Sequence, residues 1–328
     1  MTDSRQLPGQ CGRYTCSGAH PAHDTRNAMA TPRTDLRGAA AALAVVVIWA
    51  ASFSFARQAI EHLGPWMFRF YSVSLGLLPL LGGIAGTLAA LRRLDRRSRW
   101  QILVAVTVNG SLVATMNIVA LSWFPASTVL ALIYTMPAFT SLIDAAHSRR
   151  WTLLGAAAPA AALAGVLLFA GRSATPLGTG GLLVVANALA WALGTWLAGQ
   201  PTQRLPARSM VTLQMLLALL TSLPMVGWVL LQPGALAQPS AADLLGIGWA
   251  GLLNGSVVFG LWYYAINLLG AVRASWFTLL VPVLGSAVAV LFFAETLATW
   301  QRIGIGLVSV GIALHSLSRR RQQVLRGL

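Results

Sequence analysis

Three ionisable side chains interrupt the long apolar runs of this 328-residue chain: Arg69, Asp144 and Glu295. A charge inside an apolar run is costly to keep, so each is a candidate for proton or ion coupling. Each also has a structural interpretation. Arg69 follows Pro65 by four residues and could extend to the nearer end of its run, and both acidic residues lie near arginines that could pair with them. Both interpretations stay open.

Histidine and cysteine give no metal or catalytic pattern. The histidines of the apolar part lie at the ends of runs, without a second ligand four residues on: His62, His147 and His315. The only cysteines are spaced irregularly from the nearest histidines: Cys11 and Cys16, before His20 and His23. We therefore expect no metal site and no cofactor. A membrane-bound enzyme, which would need a nucleophile with its base or metal ligands, is disfavoured.

Polar and aromatic side chains deep within the apolar runs form the candidate binding set. They are Trp49, Ser52, Asn109, Tyr134, Trp191, Asn254 and Tyr263. Amides and hydroxyls in an apolar run must face another helix or water, and aromatic walls suit apolar groups or cations. We predict that these residues line a central cavity. The alternative is that the amides hold helices together and the rings are ordinary packing.

Two prolines, Pro137 and Pro282, are predicted to lie within helices. A proline there removes a hydrogen bond and kinks the helix. The kink either acts as a hinge or is a static feature of packing. Small residues at Gly82-x-x-x-Gly86 and at Gly304 and Gly311 are expected to let helices approach closely.

The composition predicts an integral membrane protein. Hydrophobic residues make up 56% of the chain and charged residues 9%, whereas soluble domains carry about 25% charged residues. The net charge of +15 does not indicate nucleic-acid binding, because the arginines lie in short links and form no basic domain. Ten apolar runs are long enough to cross the bilayer: 38–58, 65–90, 101–123, 127–146, 152–171, 178–199, 208–231, 243–268, 274–294 and 300–317.

The second half of the chain repeats landmarks of the first half at a constant offset. Asn109-Gly-Ser returns as Asn254-Gly-Ser, and Pro137 returns as Pro282, each 145 residues later. Five runs in each half mean that the second copy enters the membrane inverted. The predicted fold is therefore all-α, with ten transmembrane helices as two inverted five-helix repeats and a site between them.

Arginine distribution predicts the orientation. If successive links between the apolar runs lie on alternate sides of the membrane, nineteen arginines fall on one side. Three fall on the other side: Arg57, Arg172 and Arg302. Arg69 lies inside a helix. Positively charged links stay in the cytoplasm. Both termini are thus expected in the cytoplasm of a multi-pass protein of the cell inner membrane.

The terminal segments differ from the rest. Residues 1–34 are polar and aperiodic and are expected to be a disordered cytoplasmic tail, with Met29 as an alternative start. Residues 318–328 form a basic cytoplasmic tail. The predicted repeats are 38–171 and 178–317.

Several motifs resemble the EamA repeat of the drug/metabolite transporter superfamily. In the second half they are the Gly270-Ala-Val-Arg-Ala run, Val281-Pro282, Glu295-Thr-Leu and the glycines from Gly304 to Gly311. The first half is similar at Trp49 with Ser52-Phe53, at Arg69-Phe70 and at Pro137, but has Ala146 at the place of Glu295. The resemblance covers about 38–317.

The resemblance implies a secondary transporter that exports small metabolites, such as amino acids or related amphipathic compounds, by alternating access. Efflux of multiple drugs or of cationic compounds is the alternative, since an aromatic cavity would serve it equally. A channel would show rings of like residues in a symmetric oligomer, and the sequence has no such signal. The expected partners are a small-molecule substrate and the lipid bilayer. The sequence does not determine the oligomeric state.

Overall fold

A computed structural model of the chain describes residues 32–124, 129, 132–149, 151–170, 178–200, 204–232, 238–285 and scattered positions from 299 to 314. These residues are helical or lie in short joins, and no strand occurs among them. Most of the predicted N-terminal tail, the C-terminal tail and Glu295 lie outside the described residues.

Within the first half, the helices follow one another with few residues between them. They are α1 (Pro32–Leu63), α2 (Pro65–Leu77), a 3₁₀ segment (Leu78–Gly83), α3 (Ile84–Arg93), α4 (Arg96–Thr107), the π-helical segment π1 (Val108–Val113), α5 (Ala114–Trp123), α6 (Met136–Ser148) and α7 (Leu153–Ala170).

The second half has the same character. Its helices are α8 (Gly178–Ala198), α9 (Ala207–Leu230), α10 (Ala241–Gly248), the π-helical segment π2 (Trp249–Val258), α11 (Phe259–Leu269) and α12 (Ala271–Phe277).

Six stretches among the described residues are long and apolar enough to cross a membrane: Thr34–Ser52, Pro65–Arg93, Arg96–Trp123, Gly180–Ala198, Ala207–Leu230 and Ala241–Leu269. Two shorter apolar helices cover Gly155–Gly165 and Ala271–Gly285. The all-helical membrane class is therefore confirmed. Ten helices in an inverted repeat stay a prediction, because several of the ten runs fall partly outside the described residues.

Local sequence explains where the helices begin and turn. Gly64 has φ 74° and Gly270 has φ 81°, a region that side chains disfavour, and each glycine separates two helices. Asp95 caps α4 by accepting a bond from the backbone N–H of Ser98 at 2.9 Å. That bond holds the pKa of the Asp95 carboxyl below its usual value.

The repeated Asn-Gly-Ser lies in a π-helical segment in both halves. π1 contains Asn109-Gly-Ser and π2 contains Asn254-Gly-Ser. A π-helical turn bonds i to i+5 and so disrupts the regular backbone ladder. Inside a membrane the affected carbonyls need partners. In π1 the side chain of Arg69 is such a partner.

Helices of the first half contact helices of the second half extensively. Helix α1 runs along α10, π2 and α11, α2 lies between α9 and π2, and α8 contacts α4, π1 and α6. Because lipid tails are as apolar as leucine, such contacts depend on close packing and on interhelical hydrogen bonds. One of these bonds joins Asn187 Nδ2 to Asn117 Oδ1 at 2.7 Å.

The close helix approach predicted at Gly82 and Gly86 is not found among the described residues. A Cβ at Gly82 or Gly86 would meet nothing within 4 Å, so that expectation was wrong. Instead, Gly76 on α2 and Gly251 on π2 lie backbone to backbone, and a Cβ on either would clash with a carbonyl oxygen. At Gly311 the expectation is confirmed, since a Cβ there would lie 2.9 Å from the Cβ of Ala162.

Candidate functional site

A cavity of about 140 Å³ lies between helices of both halves. The described lining residues are Ser52, Ala56, Phe68, Arg69, Ser72, Val73, Gly110, Ala114, Asn117, Ile118, Leu121, Gln214, Met215, Ala250, Asn254, Gly255 and Phe259. They come from α1, α2, π1 and α5 of the first half and from α9, π2 and α11 of the second.

Arg69 is the charged residue of the described lining. It is 3% exposed, and its Nη2 donates to the carbonyl oxygen of Gly110 at 3.0 Å and to that of Ser111 at 3.5 Å. The guanidinium therefore satisfies carbonyls of π1. The alternative in which Arg69 extends to the end of its helix was wrong, because the side chain is buried.

Two neutral donors accompany Arg69. Gln214 is fully buried, its Oε1 accepts from the Tyr263 hydroxyl, and its Nε2 has no partner among the described residues. Ser72 follows Arg69 by three residues on α2 and so shares its face. The Ser72 hydroxyl likewise lacks a described partner. The bond from Tyr263 fixes the amide of Gln214 with its N–H groups available.

Aromatic rings pack together beside the cavity. The rings of Trp49 and Trp191 lie 5.1 Å apart, those of Trp49 and Trp262 lie 5.3 Å apart, and those of Trp191 and Tyr134 lie 5.6 Å apart. We call these four residues the aromatic cluster. Trp49 lies about one helical turn before Ser52, so the cluster is displaced from the cavity toward the Asp35 end of α1.

Helix α1 is held to the second half near both ends. Near its start, Asp35 forms an ion pair with Arg273 at 2.9 Å. Near its end, His62 Nδ1 lies 2.6 Å from Asp243 Oδ2, and this carboxylate also closes a capping box with Ser240 at the start of α10. Asp243 thus has a structural role.

The seven residues predicted to line a cavity divide into two groups. Ser52 and Asn254 belong to the described lining. The other five lie just behind it. Trp49, Tyr134 and Trp191 belong to the aromatic cluster, and Tyr263 supports Gln214. The Asn109 amide lies so close to Gly194 of α8 that a side chain there would clash.

The predicted hinge prolines lie just after breaks in their helices, not in the middle. Tyr134 and Thr135 form a turn, and Pro137 is in the first turn of α6. Thr278 and Leu279 form a turn, and Pro282 lies three residues beyond it. At both breaks a threonine hydroxyl donates at 2.7 Å to the carbonyl three residues earlier. The interruption therefore recurs in both halves.

Of the two predicted acidic residues, Asp144 is not part of the described cavity lining, and Glu295 lies outside the described residues. Asp144 accepts from Trp196 Nε1 at 3.2 Å. Among the residues with described coordinates, no cluster of His, Cys, Asp and Glu could hold a metal ion.

Sequence reasoning missed Ser72, Asn117 and Gln214, which all line the cavity. The available signal was a polar side chain in an apolar run, the same signal that had selected Asn109 and Asn254. For Ser72, the spacing of three residues from Arg69 was a second signal.

The chain matches the model of the EamA-like transporter family twice, over residues 36–171 and 178–317. The chain belongs to this family. This EamA-like protein is therefore a transporter with several membrane-spanning helices, as the resemblance implied.

Two relatives are named as a transporter and an efflux pump, and a solved structure shares the fold. "Uncharacterized transporter YvbV" of Bacillus subtilis is 24% identical to this EamA-like protein, over 85% of this chain and 91% of the relative. "Probable amino-acid metabolite efflux pump" of Salmonella typhimurium is 24% identical, over 87% and 96%. A solved crystal structure that is 19% identical shares the fold, with a TM-score of 0.64 over 88% of this chain and 98% of that one. These names indicate transporters and not enzymes.

Proposed function

We propose that this EamA-like protein exports small amphipathic metabolites, amino acids or related compounds, across the cytoplasmic membrane by alternating access. The observation that carries the proposal is the cavity between the two family segments. Its lining combines apolar walls with a few polar groups, the usual composition of a small-molecule site. A site between two repeats near the membrane midplane is also the common arrangement in secondary transporters.

The aromatic cluster supports a closed end for this cavity. Two of its ring pairs, Trp49 with Trp191 and Trp191 with Tyr134, pack edge to face. This arrangement stabilises aromatic pairs beyond their buried area. With the termini in the cytoplasm, the cluster would separate the cavity from the cytoplasmic side. Alternating access then requires the cluster to open and the opposite end to close.

The helix breaks before Pro137 and Pro282 are candidate hinges for that change. A break already lacks regular backbone bonds, so a change of its dihedral angles costs few further hydrogen bonds. The first break contains Tyr134 of the aromatic cluster, and the second break follows Trp276. Trp276 Nε1 donates to Ser141 at 2.9 Å and so joins the two broken helices.

The substrate class follows from the cavity and from one relative. A mixture of amide, hydroxyl and guanidinium groups with aromatic walls suits compounds that have one polar and one apolar end. The Salmonella relative is named as an amino-acid metabolite efflux pump, which favours the same class here.

Inside-out membrane vesicles test the proposal. Uptake of labelled amino acids and of a cationic dye is compared between wild type, Ala114→Trp and Ala186→Trp. Ala114 lines the cavity, so a tryptophan there should fill it and abolish uptake. Ala186 is exposed on α8, and the same substitution should leave uptake unchanged. Wild-type uptake by the Ala114 variant at normal abundance would refute the role of this cavity.

A further inference from the structure

Arg69 is a buried cation whose charge is not neutralised within the described structure. No carboxylate among the described residues lies within ion-pair distance of its guanidinium; the described pairs are His62 with Asp243 and Arg273 with Asp35. Backbone carbonyls satisfy donors but carry no full negative charge. Charges within transmembrane segments normally pair with one another or mark the path of a substrate.

The guanidinium retains donors for a further partner. Both of its described hydrogen bonds leave from Nη2. A guanidinium has five N–H groups, so those on Nη1 and Nε are available to another acceptor. Because Arg69 lines the cavity, an occupant of the cavity can supply that acceptor.

The nearby neutral groups are also donors. Gln214 Nε2 and the Ser72 hydroxyl are buried without a described partner, and both residues line the same cavity. A buried donor without an acceptor has lost its hydrogen bonds to water and gained none in return. A single acidic group could accept from the cation and from both neutral donors.

The described cavity lining also has no acidic side chain that could pair with a cationic substrate. None of its residues is aspartate or glutamate, and Asp144 and Asp243 have other partners. A cationic substrate would therefore face Arg69 without a counter-charge.

We propose that Arg69, Gln214 and Ser72 form an anion-binding subsite that holds the carboxylate of the transported compound. This inference rests on the proposed function and narrows it, because the substrates must then carry a carboxylate and simple organic cations are excluded. A planar guanidinium suits a carboxylate because it can donate two parallel bonds.

A matched pair of ligands tests the subsite on the full-length protein in lipid nanodiscs. L-Phenylalanine and L-phenylalaninamide differ only in the carboxylate, and phenethylamine lacks that group entirely. Wild type should bind the acid about tenfold more tightly than the amide, the value of a hydrogen bond to a charged group. Calorimetry gives the three dissociation constants directly.

Variants then attribute the preference to Arg69. Arg69→Gln should reduce the acid-to-amide ratio to about one, whereas Arg69→Lys should keep part of it. Arg96→Gln, at an exposed arginine, is the control and should keep the wild-type ratio. Gln214→Glu would place a carboxylate beside Arg69 while retaining an acceptor for Tyr263, and should also abolish the preference. This variant keeps the test decisive if Arg69→Gln does not fold.

Three results would overturn the subsite. They are equal binding of acid and amide by wild type, an unchanged ratio in Arg69→Gln or Gln214→Glu, and binding of sodium chloride or phosphate with no binding of the acid.

Vesicle transport separates the anion subsite from the proposed export function. Transport of the amine or amide without the acid would refute the anion subsite but leave export intact. Selective binding of the acid without transport of any compound would refute export but leave the subsite intact.

Discussion

The indole Nε1 of Trp49 donates to Oδ1 of Asn254 at 2.6 Å, across 205 residues of sequence. This bond joins α1 to the π-helical segment π2. Asn254 lines the cavity and Trp49 belongs to the aromatic cluster. The bond therefore connects the binding surface to the cluster that closes it, so that movement of one alters the other.

We expect Trp49→Phe to reduce transport severalfold while it lowers thermal stability only slightly. A six-membered aromatic ring remains at this position, but the pyrrole ring with its N–H is lost, so Asn254 loses its donor. Interhelical bonds in membrane proteins contribute about 0.6 kcal/mol on average, so Tm should fall by only a few degrees. Vesicle transport should fall severalfold, because the Asn254 amide can reorient in the cavity. Trp228→Phe, at an exposed tryptophan, should leave both unchanged, and an equal loss in the two variants would contradict the prediction.

Trp191→Ala should impair transport while the protein stays folded in the membrane. Trp191 contacts both Trp49 and Tyr134 in the cluster, so its removal should loosen the closed end of the cavity. The loss should differ between substrates with large and small side chains. Transport divided by protein abundance is the measurement. A fall in abundance alone, with unchanged transport per molecule, would identify Trp191 as ordinary packing.

Gly110→Ala should destabilise the protein and disturb the subsite. A Cβ at Gly110 would collide with the Cγ of Gln214 and lie 3.1 Å from its carbonyl oxygen. Overpacking of this kind costs about 1–3 kcal/mol, and Gln214 must shift to relieve it. Thermal unfolding in nanodiscs should show a lower Tm than wild type.

Gly86→Ala is the matched control for Gly110→Ala. Nothing lies within 4 Å of a Cβ at Gly86, and alanine favours a helix by about 1 kcal/mol over glycine. Its Tm should equal or exceed that of wild type. An equal fall of Tm in both variants would show that the close approach of Gln214 to π1 does not determine stability.

Topology reporters test the membrane orientation that the arginine distribution predicts. A reporter that is active only outside the cytoplasm should be silent when fused after Leu328 and active when placed near Gly178. The reason is that nineteen of the arginines fall on one side of the predicted topology. The reverse pattern would exclude the predicted orientation.

Much of the architecture could be predicted from the sequence because the membrane limits the possible structures. Apolar runs of about twenty residues must be helices, since no other open structure satisfies the backbone in lipid. The constant offset between the two Asn-Gly-Ser motifs also predicted a shared environment, and both motifs lie in π-helical segments. These inferences need only chain order and residue type.

The tertiary structure decided which side chains meet. Gln214 joins Arg69 and Ser72 only because α2, π1 and α9 cross at one place, and the close approach falls at Gly76 and Gly251 instead of at Gly82 and Gly86. The sequence pattern could not show this, because lipid is as apolar as a packed helix face. An apolar helix therefore carries little periodic signal to separate its buried side from its lipid-facing side. Which polar groups face the cavity, and whether a ring lines it or lies behind it, depends on helix rotation and crossing, which packing across the two halves determines.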